Sequence, residues 1–249
     1  MPMYINTKRV PYLDNGIAPR QRKVYVLRWN PSISPFTIDE FYETFAIFKD
    51  EKEGNLSEFN WTVWDWKTVE HRDLYVMMKV GTNCNGIVWA GYLHGFPYQY
   101  ENEDGTKSRS HFFDTDFLFM QDIDKTGKLT ADVLRREIPD VDWEHGHSGE
   151  LLSVEQGEKL GRLILNELLS VENSAAFQYD DFEEKKYVLS DIVTFLCPKL
   201  KTELLNAGRN ESSIQDINNL MIRFVDTDYE SWDTPSEHMV LDKLNGIRV

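Results

Sequence analysis

Cysteine is scarce in this chain. Two occur in 249 residues, Cys84 and Cys197, and neither has a partner at C-x-x-C spacing. That excludes a disulfide framework and a structural zinc site. Long apolar runs are also missing. None reaches the ~18 residues of a membrane helix. The opening MPMYINTKRV has no apolar signal core, so a cytoplasmic protein is expected, and the sequons at Asn55, Asn60 and Asn210 have no role. Basic charge is short, with 27 Lys and Arg against 42 Asp and Glu and a net charge of -15. A surface of that sign repels polyphosphate and disfavours non-specific duplex binding. Reading one base in a local pocket, or binding a basic protein partner, is compatible with it. A glycine-rich phosphate loop, a nucleophile elbow and internal repeats are absent.

Aromatic residues are plentiful. They make up 13% of the chain, and four of the seven tryptophans (Trp61, Trp64, Trp66 and Trp89) fall between residues 61 and 95. With 41% hydrophobic residues, this is the composition of a globular protein. Residues 1–22 are basic, rich in Pro and Gly and without periodicity, and read as a loosely docked arm. A β-forming run, Lys23 to Trp29, ends at Asn30-Pro31. Thr37 and Glu40 have the spacing of a helix capping box, and Phe41, Phe45 and Phe48 give that helix an apolar face. Leu74–Val80 and Ile87–Leu93 flank a Gly- and Asn-rich turn and predict a hairpin. Gly91 inside its second arm predicts a bulge or a barrel corner. A further strand is expected from His111 to Met120. Helices are expected from Thr130 to about Glu137, from a second capping box at Ser153 and Gln156 to about Val171, and over 180–206 and 213–225. The predicted layout is therefore an arm over 1–22, a β-rich domain over 23–150 and a helical region over 151–249.

Three strings suggest chemistry and fall short of it. His71-Arg72-Asp73-Leu74 matches part of a kinase catalytic loop, but Met78 occupies the metal-binding Asn position, so Asp73 reads as a turn residue opening a strand. Asp122-Ile-Asp124-Lys-Thr126-Gly127 starts like a calcium loop and lacks its terminal Glu, having Val133 there. His145 and His147 have metal-ligand spacing, but a site needs three or four ligands, and the plainer reading is a hydrogen-bonded loop. No catalytic set, cofactor or metal is assigned; a non-enzymatic protein is the leading expectation, with an enzyme as a third reading, because acid–base chemistry needs only two well-placed side chains. Alternation along Phe59–Trp66 puts Phe59, Trp61, Val63 and Asp65 on one face and Asn60, Thr62, Trp64 and Trp66 on the other.

The order of these pieces resembles the PUA-like superfamily, in particular its EVE, ASCH and YTH branches. The resemblance is carried by Tyr25-Val26-Leu27-Arg28-Trp29-Asn30-Pro31, by the helix and the Trp61–Trp66 segment, and by the glycine-punctuated pair Asp73–Gly81 and Gly86–Gly91. It covers residues 23–150. Arg72 stands where the family has glycine before the Asp. The resemblance implies an α+β fold: a small PUA-like β-barrel with flanking helices, followed here by the mainly helical C-terminal region. It implies recognition of nucleic acid, including a modified base in an aromatic pocket. Carried over, Asn30 reads a base edge, Trp61 or Trp64 stacks on the base, and Ser148 and Gly149 close the pocket. Arg20, Arg22, Lys23 and Arg28 would then contact the nucleic-acid backbone. The alternative is an acidic protein-interaction module, such as an immunity, inhibitor or accessory protein, with a basic partner.

Overall fold

The structure is a computed structural model that describes residues 4–5, 22–50, 59–82, 86–115, 117, 119–123 and 129–168. Arg20, the helices expected over 180–206 and 213–225, both cysteines and most of the calcium-like string lie outside the described residues.

Eight strands and three α-helices follow one another in the order β1 (Tyr4–Ile5), β2 (Val24–Trp29), α1 (Ile38–Asp50), β3 (Phe59–Thr62), β4 (Leu74–Lys79), β5 (Gly86–Tyr98), β6 (Phe112–Thr115), β7 (Phe119–Met120), α2 (Ala131–Glu137), β8 (Glu150–Leu151) and α3 (Val154–Leu168). The fold is α+β, built on a mixed sheet in the order β1-β7-β5-β4-β2-β8, with β6 pairing β5 and β3 pairing β6. At its centre β2 runs parallel to β4, from Val24 beside Leu74 to Trp29 beside Lys79. The expected hairpin is present as antiparallel β4 and β5. Its bulge falls at Val88, because Met77 pairs Trp89 while Met78 pairs Ile87; the irregularity predicted at Gly91 is displaced by three residues.

Two expectations need correction. The strand predicted over His111–Met120 is divided into β6, which pairs β3 and β5, and β7, which pairs β1 and β5. Nor do the strands close into a barrel. The opening lies between β3 and β8, and among the described residues two backbone bonds cross it, Trp64 N–H to the Ser148 carbonyl (2.9 Å) and Asp65 N–H to the Gly149 carbonyl (3.0 Å). The N-terminal arm contributes a strand, since Tyr4 and Ile5 pair with Met120 and Phe119.

The central strands are continuous apolar runs because both faces are covered. Every residue of β2 and of β4 is buried. On one face α1 seats Phe41 against Trp29 (5.3 Å between ring centroids) and Trp89 (5.8 Å). Both sequence-predicted capping boxes form. Thr37 N–H donates to Glu40 at 2.6 Å and Glu40 N–H to Thr37 Oγ1 at 3.2 Å; Ser153 and Gln156 repeat the exchange at 2.8 and 3.2 Å. Asp73 is fully buried just before β4 and accepts Lys23 N–H (3.1 Å) and Glu70 N–H (2.8 Å), so it is a turn anchor. Arg72 before it has φ +65°, the left-handed conformation in which glycine is easiest. Among the described residues no helix is long and apolar enough to cross a membrane.

Candidate functional site

The gap in the sheet is where the candidate site forms. The inward face of β3 continues one residue past its end. Val63 is buried and its N–H donates to the His111 carbonyl at 3.0 Å. Beyond it the backbone leaves the β6 ladder. Trp64 and Asp65 turn their N–H groups to the 148–149 segment, and a 3-10 turn follows over Trp66–Thr68. That turn is closed by Thr68 N–H to the Asp65 carbonyl at 2.9 Å. Asp65 also accepts Leu151 N–H at 2.8 Å, which ties the turn to β8.

Gly149 makes this crossing possible. Its φ is +88°, and a Cβ there would lie 2.4 Å from Val63 Cα and 2.6 Å from Trp64 N. No side chain fits between the two backbones at that spacing. Ser148 beside it is a junction. Its hydroxyl oxygen accepts Arg28 N–H at 3.0 Å and Trp61 Nε1–H at 2.9 Å.

Together these segments enclose an open cleft of about 700 Å³, lined by residues 62–68 on one side and by Arg109, Ser110, His111, His147 and Ser148 on the other. Trp64 stands in its wall 60% exposed, with one face parallel to the His147 ring (3.7 Å, 6°). Trp66 makes a similar pair with His111 (3.8 Å, 14°), and its ring also carries the Lys67 ammonium 5.4 Å from the centroid. Trp61 points the other way. It stacks on Phe59 (5.6 Å, 22°) and meets Phe36 edge-on, partly buried against the core. Trp61 and Trp64 thus have the opposite orientations expected from alternation, whereas Asp65, expected on the Trp61 face, lines the cleft because the chain turns after Val63. Sequence reasoning missed Lys67 and Arg109, and it weighed His111 and His147 only as metal ligands. His147 was visible only as half of an H-x-H string; its ring partner lies far away in sequence.

The remaining predicted residues are placed as follows. Asn30 does not line the cleft. Its Oδ1 accepts Ser32 N–H at 3.1 Å, and its side chain packs close over Gly81. Arg22 and Arg28, expected to contact a nucleic-acid backbone, are buried at 6% and 8% exposure. Arg22 donates to the His71 carbonyl at 3.3 Å. Arg28 donates to the carbonyls of His147 and Asp142 and pairs with Glu150 at 2.8 Å. Its guanidinium is a clamp that holds the 142–150 loop, and with it His147, against the sheet. Lys23 is tied to Glu70 and the Thr68 carbonyl, each at 2.6 Å. The base of the loop is set by Asp142, which accepts His145 N–H at 2.9 Å. That bond, ahead of the His145 ring, holds the Asp142 carboxyl below its ordinary pKa. Among the described residues no group of three or more His, Cys, Asp or Glu converges where a metal ion could be shared.

No family model matches the chain, and no curated protein matches it. Among solved structures, its fold is similar to a YTH domain-containing protein, mmi1, solved in a complex with RNA. That likeness has 14% identity and a TM-score of 0.34, and covers 65% of this chain and 97% of the other. So loose a likeness carries no argument about the site, and the chain's own geometry has to supply one.

Proposed function

We propose that this cleft recognises a nucleobase of a single-stranded nucleic acid by stacking, with Trp64 as the platform and no chemical step. The observation that carries the reading is the state of Trp64. A large indole left 60% exposed in a concave wall, with its orientation fixed by a parallel imidazole on one face, keeps apolar ring surface available to a second flat ring. Base–aromatic stacking is worth about 1–3 kcal/mol per base and tolerates any base, because every base has a π-face. Discrimination, including that of a modified base, would come from the polar groups around it: the Ser110 and Thr62 side chains and the edges of His111 and His147.

Titration of the protein against a panel of single-stranded RNA and DNA oligonucleotides, unmodified and base-methylated, tests this. Saturable binding to at least one member is expected. It should survive Asn30→Ala, because that amide serves its own turn. An entire panel without saturable binding would sink the proposal.

A second reading, an acidic protein-interaction module, is favoured by a different surface. Phe96 is 89% exposed and Tyr100 is 47% exposed, next to a tight turn carrying Glu101, Glu103 and Asp104. Its expected outcome is salt-sensitive capture of a basic protein that Trp64→Ala leaves intact.

A further inference from the structure

We infer that Lys67 and Arg109 form an anion-binding lip to the cleft, so that its ligand is engaged through a backbone phosphate as well as a base. This rests on the stacking reading above. In a chain of net charge -15, a cation near carboxylates is normally paired, and several among the described residues are: Lys23 with Glu70 (2.6 Å), Arg28 with Glu150 (2.8 Å), Arg135 with Glu144 and Arg162 with Glu158 (3.2 Å). Lys67 and Arg109 depart from that pattern. Both are exposed, both line the cleft, and neither pairs with a carboxylate among the described residues. Lys67 instead rests over Trp66. The one carboxylate lining the cleft, Asp65, is held by Leu151 N–H at 2.8 Å. A pair of positive charges therefore lines the same cleft as the exposed Trp64, in a chain of net charge -15. It would concentrate an anion at the point where a base can stack. Arg109 brings a planar fork suited to two phosphate oxygens, and Lys67 a point charge on a flexible stem.

This division of labour is not legible in the residue types alone. The basic residues expected on the phosphates, Arg22, Lys23 and Arg28, hold the fold together, and the two cations left at the cleft are isolated in sequence.

The test uses two pools of random-sequence RNA hexamers, one with phosphodiester and one with uncharged methylphosphonate linkages, titrated by fluorescence anisotropy against the full chain. The phosphodiester pool should bind about five- to tenfold tighter at low salt. Lys67→Gln and Arg109→Gln should each lower the slope of log affinity against log salt by about 0.7 for the phosphodiester pool. They should leave the methylphosphonate affinity and the melting temperature unchanged. Equal affinity for the two pools, with binding still lost in Trp64→Ala, would overturn the phosphate lip and spare the stacking site. No binding of either pool would overturn the phosphate lip, and the stacking site falls with it only if the DNA and base-methylated members of the panel also fail to bind.

Discussion

The two faces of the Phe59–Trp66 segment use the same residue types for opposite ends. On the inner face Phe59 and Trp61 join Trp29, Phe36, Phe41 and Trp89, and ring contacts at 5.1–6.4 Å run from each to several others. On the outer face Trp64 meets one ring, that of His147, and is left largely in solvent. Inner rings are fixed by many neighbours and contribute buried area. The outer ring is fixed by a single flat partner and two backbone hydrogen bonds, and contributes little to the core. An aromatic residue here is a packing element or a presented surface according to which side of one backbone it leaves. The turn at Trp64–Asp65 decides that.

Substitutions on the two sides should therefore separate stability from binding. Trp89→Ala should cost about 3–5 kcal/mol in urea unfolding, since it opens a cavity among rings that cannot all collapse into it. Trp64→Ala should cost less than about 1 kcal/mol and remove oligonucleotide binding. A Trp64→Ala protein as destabilised as Trp89→Ala would erase the distinction between the faces. Gly149→Ala lies between them in magnitude. It strains a φ of +88° and drives a methyl into Val63 and Trp64, so a loss of about 2–3 kcal/mol is expected, with weakened binding because the cleft wall is pushed off the loop. Wild-type affinity in that variant would show that the wall is not positioned by this crossing.

The smallest effect concerns pH. The Asp142 carboxyl has a folded pKa below its unfolded value, so its contribution is fully present above the ordinary carboxylate pKa of about 3.9 and is lost as pH falls through the lower folded value. Acid should loosen the 142–147 loop and weaken binding on the acid side of that window. In Asp142→Asn this part of the pH dependence should disappear, as read from binding isotherms over a pH series. An unchanged acid limb in Asp142→Asn would place the titration elsewhere.

What the sequence disclosed was local. Both capping boxes are pairs three residues apart, and their hydrogen bonds form as spaced. The hairpin partners β4 and β5 are neighbours in sequence, and alternation over a few residues sufficed to send Trp61 inward and Trp64 outward. Asp73 was legible because a buried turn carboxylate serves nearby N–H groups. The rest depends on distant partners. Arg28 looks like any strand arginine until the Asp142 and His147 carbonyls, 114 and 119 residues away, close on it. The split of the predicted 111–120 strand depends on β1, β3 and β5 competing for its two halves. The cleft is made where three separated segments meet, and residue type alone does not mark Lys67 or Arg109 as left unpaired.

The most direct measurement is the affinity ladder at position 64. Binding of the tightest oligonucleotide in the panel should be measured for the wild type, Trp64→Phe and Trp64→Ala under one salt condition. Stacking on Trp64 predicts graded weakening, small for Phe and at least about tenfold for Ala, at nearly constant melting temperature. Equal affinity of all three proteins would contradict it.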